Sequence, residues 1–353
     1  MQRCKFMVLP FALTVLLLFS SACANLTSAR PTLAPLQLTS TLSAATLTPM
    51  PTFTPTPAVL GSAERPFVLG IVSAAPTSSQ QEALIQLAAN LAASLQVSVQ
   101  ARIFSDYIAL ELALQRSEVH LVWLMPVEYL LASQKNLADV MLVTNHLGVT
   151  GYGVQFIGHS DSHFTPYFDV ATNAATATAA QALAQFAGLR PCFTNTKSLS
   201  GYWVPSGYLA INNISVKPPV QTYSTNASLR ALYIKGVCDF TATYAIAADP
   251  RTSSEVITDL PDAVAKLPII WISPPVIPTL SLSASPEVDL TVKTRLAESL
   301  QALARTEEGK TLLTSALAYE TAGLQPLPDS AYDELRQLIS VQNVRLLDLL
   351  PIE

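Results

Sequence analysis

Apolar runs and amphipathic stretches alternate along the chain from residue 66 onward. Residues 66–72 are almost uninterruptedly apolar, which is typical of a strand covered on both faces. Residues 80–95 instead repeat leucine and alanine at the spacing of one helix face. Further strands are predicted at 97–104, 119–124, 140–144 and 152–158, and helices at 106–117 and 126–135. This order predicts an α/β sheet with helices on both faces.

The pattern restarts beyond residue 176 and ends in helices. Strands are predicted at 192–195, 239–245, 267–272 and 279–283, and helices at 177–186, 201–211, 226–235, 287–304, 309–318 and 330–341. A restarted α/β pattern with a helical tail predicts two lobes. The first lobe comprises residues 64–152 and 284–353, and the second comprises residues 153–283. Ligands of such sheets bind beyond the carboxyl ends of the strands, which places the site in the cleft between the lobes.

The first 23 residues have the pattern of a secretory signal peptide. Arg3 and Lys5 precede an apolar run over residues 6–19, which is short for a membrane span, and small residues precede Cys23. This junction resembles the processing site of bacterial lipoproteins, in which the cysteine carries the lipid. Plain cleavage near Ala22 and a retained signal anchor are the alternatives. We predict that residues 1–23 contain the signal and that Cys23 is lipidated.

Residues 24–63 form a segment rich in proline and threonine. Its one charged residue is Arg30, and such a sequence cannot bury a core. We therefore predict a disordered tether, whose roughly 40 residues span on the order of 120 Å when fully extended. A tether after a lipidated cysteine holds the folded body away from the membrane.

Composition narrows the classes of partner. The net charge is -5 and lysine and arginine form no clusters, which argues against nucleic acid. No second apolar run of membrane-spanning length follows the signal. Once Cys4 leaves with the signal and Cys23 carries a lipid, Cys192 and Cys238 remain in an oxidising compartment. They form either a disulfide or two buried free thiols.

The segment Ser198–Pro205 carries the most specific chemistry. It lies where a predicted strand turns into a predicted helix, and it brings together Ser198, Ser200 and Gly201. Hydroxyls and unpaired N–H groups at a helix N-terminus favour negative charge, so this segment is a candidate oxoanion cradle. The alternative is an ordinary N-cap that satisfies the helix itself.

Three motifs in order resemble a known family. They are Asp106-Tyr107, Trp123-Leu124-Met125-Pro126-Val127-Glu128-Tyr129 and Ser198-Leu199-Ser200-Gly201-Tyr202-Trp203-Val204-Pro205. The chain from residue 66 to about residue 339 is similar to the substrate-binding proteins of phosphate, phosphite and phosphonate ABC transporters. The resemblance implies the two-lobed type 2 periplasmic-binding-protein fold. It also implies ligand contacts from Ser198, Ser200, Gly201, Tyr107, Tyr129, Asn226 and Tyr244.

The chain departs from the family pattern at several of these positions. Leu199 stands where the family usually has threonine, and Met125 stands where glycine is usual. Asn226 replaces a usual histidine, and Tyr244 replaces a common acidic residue. Asparagine and tyrosine still form hydrogen bonds but supply no charge. The fold therefore follows from the resemblance more firmly than the ligand does.

No motif selects an enzyme or a cofactor. The sequence has no nucleophile elbow, phosphate loop, His-Glu-x-x-His motif or dinucleotide fingerprint. His159, Asp161 and His163 could approach a metal, but we interpret them as a solvated turn and expect no metal, cofactor or catalytic residue.

We expect a monomeric, exported lipoprotein at the outer face of the cell membrane, in the periplasm or at the cell surface. It would bind a small oxoanion of the phosphonate, phosphite or phosphate type in its cleft and deliver it to an ABC transporter permease. A ligand-sensing lipoprotein without a transport role is the alternative, and an exported hydrolase is a weaker one.

Overall fold

The computed structural model of this chain describes residues 58–350. The predicted signal peptide, Cys23 and the tether as far as residue 57 lie outside the described residues. No helix of the described range is long and apolar enough to cross a membrane.

The strands, in chain order, are β1 (Phe67–Val72), β2 (Val99–Phe104), β3 (Leu121–Leu124), β4 (Asp139–Asn145), β5 (Gly151–Gly158), β6 (Phe168–Asp169), β7 (Ala174–Ala175), β8 (Pro191–Phe193), β9 (Val220–Gln221), β10 (Phe240–Ala245), β11 (Ile269–Ile272), β12 (Ile277–Pro278), β13 (Ser281–Ala284) and β14 (Gly323–Pro326). The α-helices are α1 (Ser78–Leu95), α2 (Tyr107–Gln115), α3 (Pro126–Gln134), α4 (Ala179–Leu183), α5 (Val204–Ile211), α6 (Thr225–Ile234), α7 (Ser254–Asp259), α8 (Ala263–Lys266), α9 (Leu290–Leu303), α10 (Glu307–Leu317) and α11 (Asp333–Ser340).

The first sheet has the strand order β14-β4-β13-β3-β1-β2. β1 is parallel to β2 and β3, whereas β13 runs antiparallel to β3 and β4. The leucines predicted to share one face of α1, including Leu84, Leu87 and Leu91, are buried in one cluster with Leu69 and Ile71 of β1. The predicted amphipathic helix therefore covers the sheet, and its apolar stripe forms part of the core.

The second sheet has the order β11-β5-β10-β8-β9, and β12 pairs with the start of β5. β8 is parallel to β9 and β10, whereas β5 is antiparallel to β10. A disulfide joins Cys192 of β8 to Cys238, which lies two residues before β10, with Cα atoms 5.5 Å apart. Of the two alternatives that the sequence left open, the structure contains the disulfide, which ties the amino ends of two neighbouring strands.

Two chain crossings connect the sheets. The chain leaves β4 of the first sheet and enters β5 of the second, and it returns between β12 and β13. The crossings lie side by side: the Thr279 hydroxyl is within hydrogen-bond distance of the carbonyls of Thr144 (2.5 Å) and Thr150 (3.2 Å). The strand predicted at 279–283 is β13 and pairs within the first sheet, so the return precedes the expected boundary at 284. The lobe limits otherwise stay a prediction.

The crossings bring the carboxyl edges of the two sheets together. β4 is parallel to β3, since both are antiparallel to β13, so its end at Asn145 belongs to the carboxyl edge of the first sheet. A few residues later Gly153 pairs with Ala245, at the carboxyl end of β10. The edges at which ligands of α/β sheets bind therefore adjoin the same crossing.

The predicted fold class, α/β with two sheets flanked by helices and a helical C-terminal part, is confirmed. The edge strand β14 was not predicted, and its one proline, Pro326, is tolerated because the strand lies at the edge of the sheet. The C-terminal helix α11 packs on α5 of the second sheet so closely that a side chain on Gly207 would lie 2.4 Å from the Leu338 carbonyl.

Candidate ligand-binding site

The Ser198–Gly201 turn is closed by its own side chain. Ser198 has extended backbone angles, and its Oγ accepts a hydrogen bond of 3.0 Å from the Gly201 N–H. The N-cap that the sequence offered as an alternative is therefore formed. It occupies the Gly201 N–H, but it leaves the Ser198 hydroxyl proton free to be donated. Capping and ligand binding are compatible for Ser198.

The first helical turn after this cap is wider than an α-helical turn. Residues 199–203 form a π-helical turn before α5. Pro205 has no N–H with which to bond the Gly201 carbonyl, as a regular helix would require. The N–H of Thr194 donates to that carbonyl instead, at 3.0 Å. Because Pro205 leaves the Gly201 carbonyl without a helical donor, this carbonyl accepts from Thr194 and holds the turn against the end of β8.

Gly201 is required by this close approach. A β-carbon at Gly201 would lie 2.1 Å from the Oγ1 atom of Thr194, well inside van der Waals contact. Glycine is therefore needed here because of close packing, and its backbone does not adopt the left-handed conformation. Because Gly201 has no side chain, the Thr194 side chain can lie directly against the turn.

Thr194 is the site residue that the sequence reasoning missed. Its side chain is buried at 5% exposure, and its hydroxyl has no hydrogen-bond partner among residues 58–350. A buried hydroxyl without a partner costs about 1–3 kcal/mol, so such groups usually have an acceptor in the functional state. Its position could have identified it, because Thr194 is the first polar residue after a buried parallel strand.

Leu199 and Ser200 complete the turn. Leu199 packs against the hydrophobic core that includes Phe193 and Val204, so the position where the family usually has a hydroxyl serves packing here. Ser200 is half-buried. The adjacent cation, Lys197, donates to the carbonyl of Asp348 at 2.7 Å. The polar side chains of the turn itself, Ser198 and Ser200, are neutral hydroxyl donors.

Tyr244 lies at the same edge as the turn. The parallel register pairs Thr241 with Cys192, so β8 ends at Phe193 beside the middle of β10, and the turn that follows contacts β10. Tyr244 is half-buried, and burial together with the nearby Asp249 raises the pKa of its hydroxyl, which stays protonated. The structure therefore brings Tyr244 and the Ser198–Gly201 turn to one edge.

Asn226 has a partner elsewhere. Its side-chain amide donates to the carboxylate of Glu255, and Ser224 caps α6. In the part of the chain that the structure describes, no hydrogen bond joins Asn226 to the Ser198–Gly201 turn. Its predicted ligand contact stays a prediction.

Tyr107 supplies a donor at the edge of the first sheet. The predicted cap is present, because the Asp106 carboxylate accepts from the Ala109 N–H at 2.8 Å. Tyr107 is 3% exposed, and its hydroxyl has no partner of normal hydrogen-bond geometry within the described residues. Burial, assisted by the carboxylates of Glu111 and Glu128, raises its pKa, so the hydroxyl keeps its proton. It is a second buried donor without a well-formed hydrogen bond, and the carboxylate of Glu111 lies near it.

Tyr129 is held within the core of the first sheet. Its hydroxyl donates to Asp329 at 2.6 Å, and its ring packs on Tyr332 with centroids 4.4 Å apart. Burial and the bond to Asp329 raise the pKa of the hydroxyl. Its predicted contact with a ligand stays a prediction, since its proton is already donated within the chain.

A cavity of about 950 Å³ adjoins Tyr129 but lies at the opposite edge of the sheet, where β4 begins. Its charged groups are paired: Arg336 bonds Asp329 and Asp333, and Arg345 bonds Asp348. It therefore presents no unsatisfied group that requires a ligand. Residues 58–350 also contain no cluster of three metal-ligating side chains.

Two sheets joined by adjacent crossings, with unpartnered donors at their carboxyl edges, define a two-lobed binding protein. The family model described as the periplasmic substrate-binding protein of phosphonate ABC transporters matches residues 69–332. Since this match spans well over half of the chain, the protein belongs to that family. The resemblance inferred from the three motifs is thereby confirmed.

Two solved structures of one protein, both with TM-scores above 0.5, show the same fold. The Xanthomonas citri protein XAC2383 bound to chloride is 20% identical, with a TM-score of 0.54, and the match covers 80% of this chain and 98% of that chain. The same protein bound to ATP is 19% identical, with a TM-score of 0.53 over 81% and 99%. PhnD1 from Prochlorococcus marinus in complex with methylphosphonate is 14% identical, with a TM-score of 0.46 over 78% and 98%. A search of curated protein sequences found no significant match.

The family assigns the general role. Its members are exported substrate-binding proteins of ABC transporters, which bind a small-molecule ligand and work with a permease. This chain is therefore a periplasmic-type substrate-binding protein.

Proposed function

We propose that this protein is a lipid-anchored binding protein that holds a small oxoanion between the carboxyl edges of its two sheets and delivers it to an ABC importer. The observation that carries the ligand class is the buried, unpartnered hydroxyl of Thr194 against the Ser198–Gly201 turn. An oxoanion offers several acceptor oxygens at once, which is what a group of neutral donors requires.

The donors come from both sheets. Thr194, Ser198 and Ser200 lie at the edge of the second sheet, and Tyr107 lies at the edge of the first. Each hydroxyl supplies one proton, and the helix dipole of α5 adds a favourable field. Thr194 supplies a hydroxyl in place of the one that the family usually has at the position of Leu199. Because no cation is needed in this set, an anion is recognised by hydrogen bonding in a site from which water is excluded.

Tyr244 adds a neutral donor at the edge of the second sheet. A tyrosine there can bond a ligand oxygen but cannot neutralise a cationic group. Tyr129 and Asn226 reach a ligand only if their bonds to Asp329 and Glu255 break. We therefore expect the smaller effects on binding from these two residues.

The membrane anchor rests on the sequence. Cys23 after small residues, followed by the tether, supports lipidation and a folded body held at the outer face of the membrane. Replacement of Cys23 by alanine should abolish incorporation of a labelled fatty acid and release the protein from the membrane fraction. Unchanged labelling and membrane association in Cys23→Ala would contradict the lipidation proposal.

The ligand class is tested by thermal melting of the purified full-length protein in detergent. The additives are phosphate, phosphite, methylphosphonate, a sulfonate and a neutral sugar. A ligand at 100 times its dissociation constant stabilises the folded state by about 2.7 kcal/mol. We expect such stabilisation from at least one oxoanion, with weaker binding in Ser200→Ala and in Tyr107→Phe. No shift with any oxoanion would refute the proposed ligand class, whereas the fold would be unaffected.

A further inference from the structure

The start of β1 is held by a histidine side chain in place of a main-chain carbonyl. In a parallel pair of strands, an N–H that faces the neighbouring strand normally bonds a carbonyl of that strand. The Val68 carbonyl accepts from the His120 N–H at 3.0 Å, as the ladder between β1 and β3 requires. The Val68 N–H, however, donates to the Nδ1 atom of the His120 imidazole at 3.1 Å. The ring therefore supplies the first acceptor of this ladder.

This hydrogen bond defines the protonation state of the ring. Nδ1 accepts only through its lone pair, so the proton of the neutral ring lies on Nε2. His120 is 2% exposed, and its Nε2 atom has no hydrogen-bond partner within the described residues. A second proton would bind at Nδ1, where it meets the Val68 N–H. The imidazolium would then lack an acceptor at both nitrogens among residues 58–350.

Two charged groups act on this ring. Arg65, which precedes β1, and Glu287, which follows β13, form an ion pair at 2.5 Å. Burial lowers the pKa of His120, Glu287 raises it, and Arg65 lowers it. The neighbouring carboxylate of Glu118 pairs with Arg102 at 3.2 Å. The combined effect keeps the imidazole neutral in the folded protein.

The ring also contacts the segment that leads into β1, residues 58–66. His120 packs edge-to-face on Phe67 with ring centroids 6.1 Å apart, and a β-carbon on Gly61 would lie 2.7 Å from the Phe67 ring. The Ser98 N–H donates to the Gly61 carbonyl at 2.7 Å, and the Phe67 N–H donates to the Ser98 carbonyl at 2.9 Å. Gly61 belongs to the stretch predicted as tether, so the end of that stretch packs on the folded body through contacts that include His120.

We propose that His120 is an acid-sensitive latch, which as a neutral acceptor holds the start of β1 and residues 58–66 in place and releases them when it is protonated. Protonation removes the acceptor of the Val68 N–H and places a cation near Arg65 in a buried site. Opening exposes the ring to water, in which the imidazolium is stable. Acidification therefore shifts the point at which the folded body begins and adds residues 58–66 to the predicted tether.

The size of the effect follows from the proton equilibrium. In the released state the ring has the ordinary histidine pKa of about 6.5, whereas its pKa in the folded state is lower. The latch is therefore fully stable above a pH of about 6.5 and loses stability as the pH falls from that value towards the lower folded pKa. Between about pH 8 and about pH 5 the population of the released state should rise by up to about thirtyfold.

Hydrogen exchange of the full-length protein in detergent measures this opening between about pH 8 and about pH 5. Mass spectrometry follows the peptides that contain the Val68 and Ser98 amides, with the intrinsic pH dependence of exchange divided out. In the wild type, protection of both peptides should fall by roughly ten- to thirtyfold, and the peptide that spans β10 should stay better protected. Equal protection of all three peptides at the lower pH would overturn the proposal, as would an unchanged protection of the Val68 peptide.

Two asparagine variants separate the latch from general effects of acid. In His120→Asn the side-chain Oδ1 atom can replace Nδ1 as the acceptor of the Val68 N–H, but the amide does not titrate. The pH-dependent loss of protection should therefore disappear. His159→Asn is the matched control, because His159, which follows β5 of the second sheet, is 5% exposed and accepts from the Asp161 N–H through Nδ1 at 3.1 Å. This variant should keep the full loss of protection at Val68 and Ser98.

The remaining outcomes also decide the proposal. A loss of protection that persists in His120→Asn, or one that vanishes in His159→Asn, would show that another group controls the opening. If His120→Asn does not fold, the wild-type profile is decisive: a loss that begins near the histidine pKa of about 6.5 supports the latch, whereas one that begins near about 4 assigns the opening to carboxylates and overturns it.

Discussion

A pair of threonines in the second sheet tests the central claim about the site. Thr194 and Thr241 are both buried, but the Thr194 hydroxyl has no partner within residues 58–350, whereas the Thr241 hydroxyl donates to the Cys192 carbonyl at 2.6 Å. Valine has nearly the same shape as threonine and removes only the hydroxyl group. The same substitution should therefore have opposite consequences at the two positions.

The magnitudes follow from the hydrogen bonds. Thr241→Val loses a bond that contributes about 1 kcal/mol and leaves a carbonyl less well satisfied. Thr194→Val removes an unpaired buried hydroxyl, so the empty protein should be as stable as the wild type or more stable by about 1 kcal/mol. A hydrogen bond to a charged acceptor is worth about 1.5–3 kcal/mol. Thr194→Val should therefore weaken oxoanion binding by roughly ten- to a hundredfold.

Urea unfolding of the ligand-free variants measures the first effect, and calorimetric titration with the tightest-binding oxoanion measures the second. The slope of the unfolding free energy with urea should be unchanged, so that the midpoints report stability. The reasoning is refuted if Thr194→Val destabilises the empty protein as much as Thr241→Val. It is equally refuted if both variants bind the oxoanion like the wild type.

Three further predictions concern stability. Gly201→Ala places a methyl group about 2.1 Å from the Thr194 Oγ1 atom and should lower the melting temperature by an amount equivalent to about 2 kcal/mol or more; an unchanged melting temperature would contradict the packing role of the glycine. The double variant Cys192→Ala and Cys238→Ala should lose about 2–5 kcal/mol of unfolding free energy, and a thiol count on the unfolded wild type should detect neither cysteine. Hydrogen bonds from an arginine and a tyrosine lower the pKa of Asp329, so its contribution to stability is present above the carboxyl pKa of the unfolded chain and is lost as the pH falls through the lower folded value. Asp329→Asn should flatten the acid end of a pH-dependent melting curve, and an unaltered curve would exclude this contribution.

Local patterns predicted much of the fold because they record burial on one element at a time. The helix at 80–95 is found as Ser78–Leu95, with its leucine stripe in the core. Asp106 was predicted to cap the next helix and does so through Ala109. In each case the pattern that determines the element extends over only a few neighbouring residues, so it can be recognised in the sequence.

The same local reasoning could not identify long-range partners. Tyr129 was predicted to contact ligand, but its hydroxyl bonds Asp329, which lies 200 residues away. Thr194 lies just before the serine motif, yet what distinguishes its hydroxyl is a partner that is missing within the described residues. Neither fact leaves a trace in the spacing of neighbouring residues.

The sequence by itself determined the α/β class, the restart that indicates two lobes, and the position of the Ser198–Pro205 turn at the end of a strand. Hydrophobic periodicity and capping act over one or two turns, so they can be read from the order of residues. Only the tertiary structure decided that Cys192 and Cys238 are joined and that Thr194 faces the turn without a partner. Hydrogen-bond satisfaction depends on which distant segments pack together, and that is a property of the folded chain.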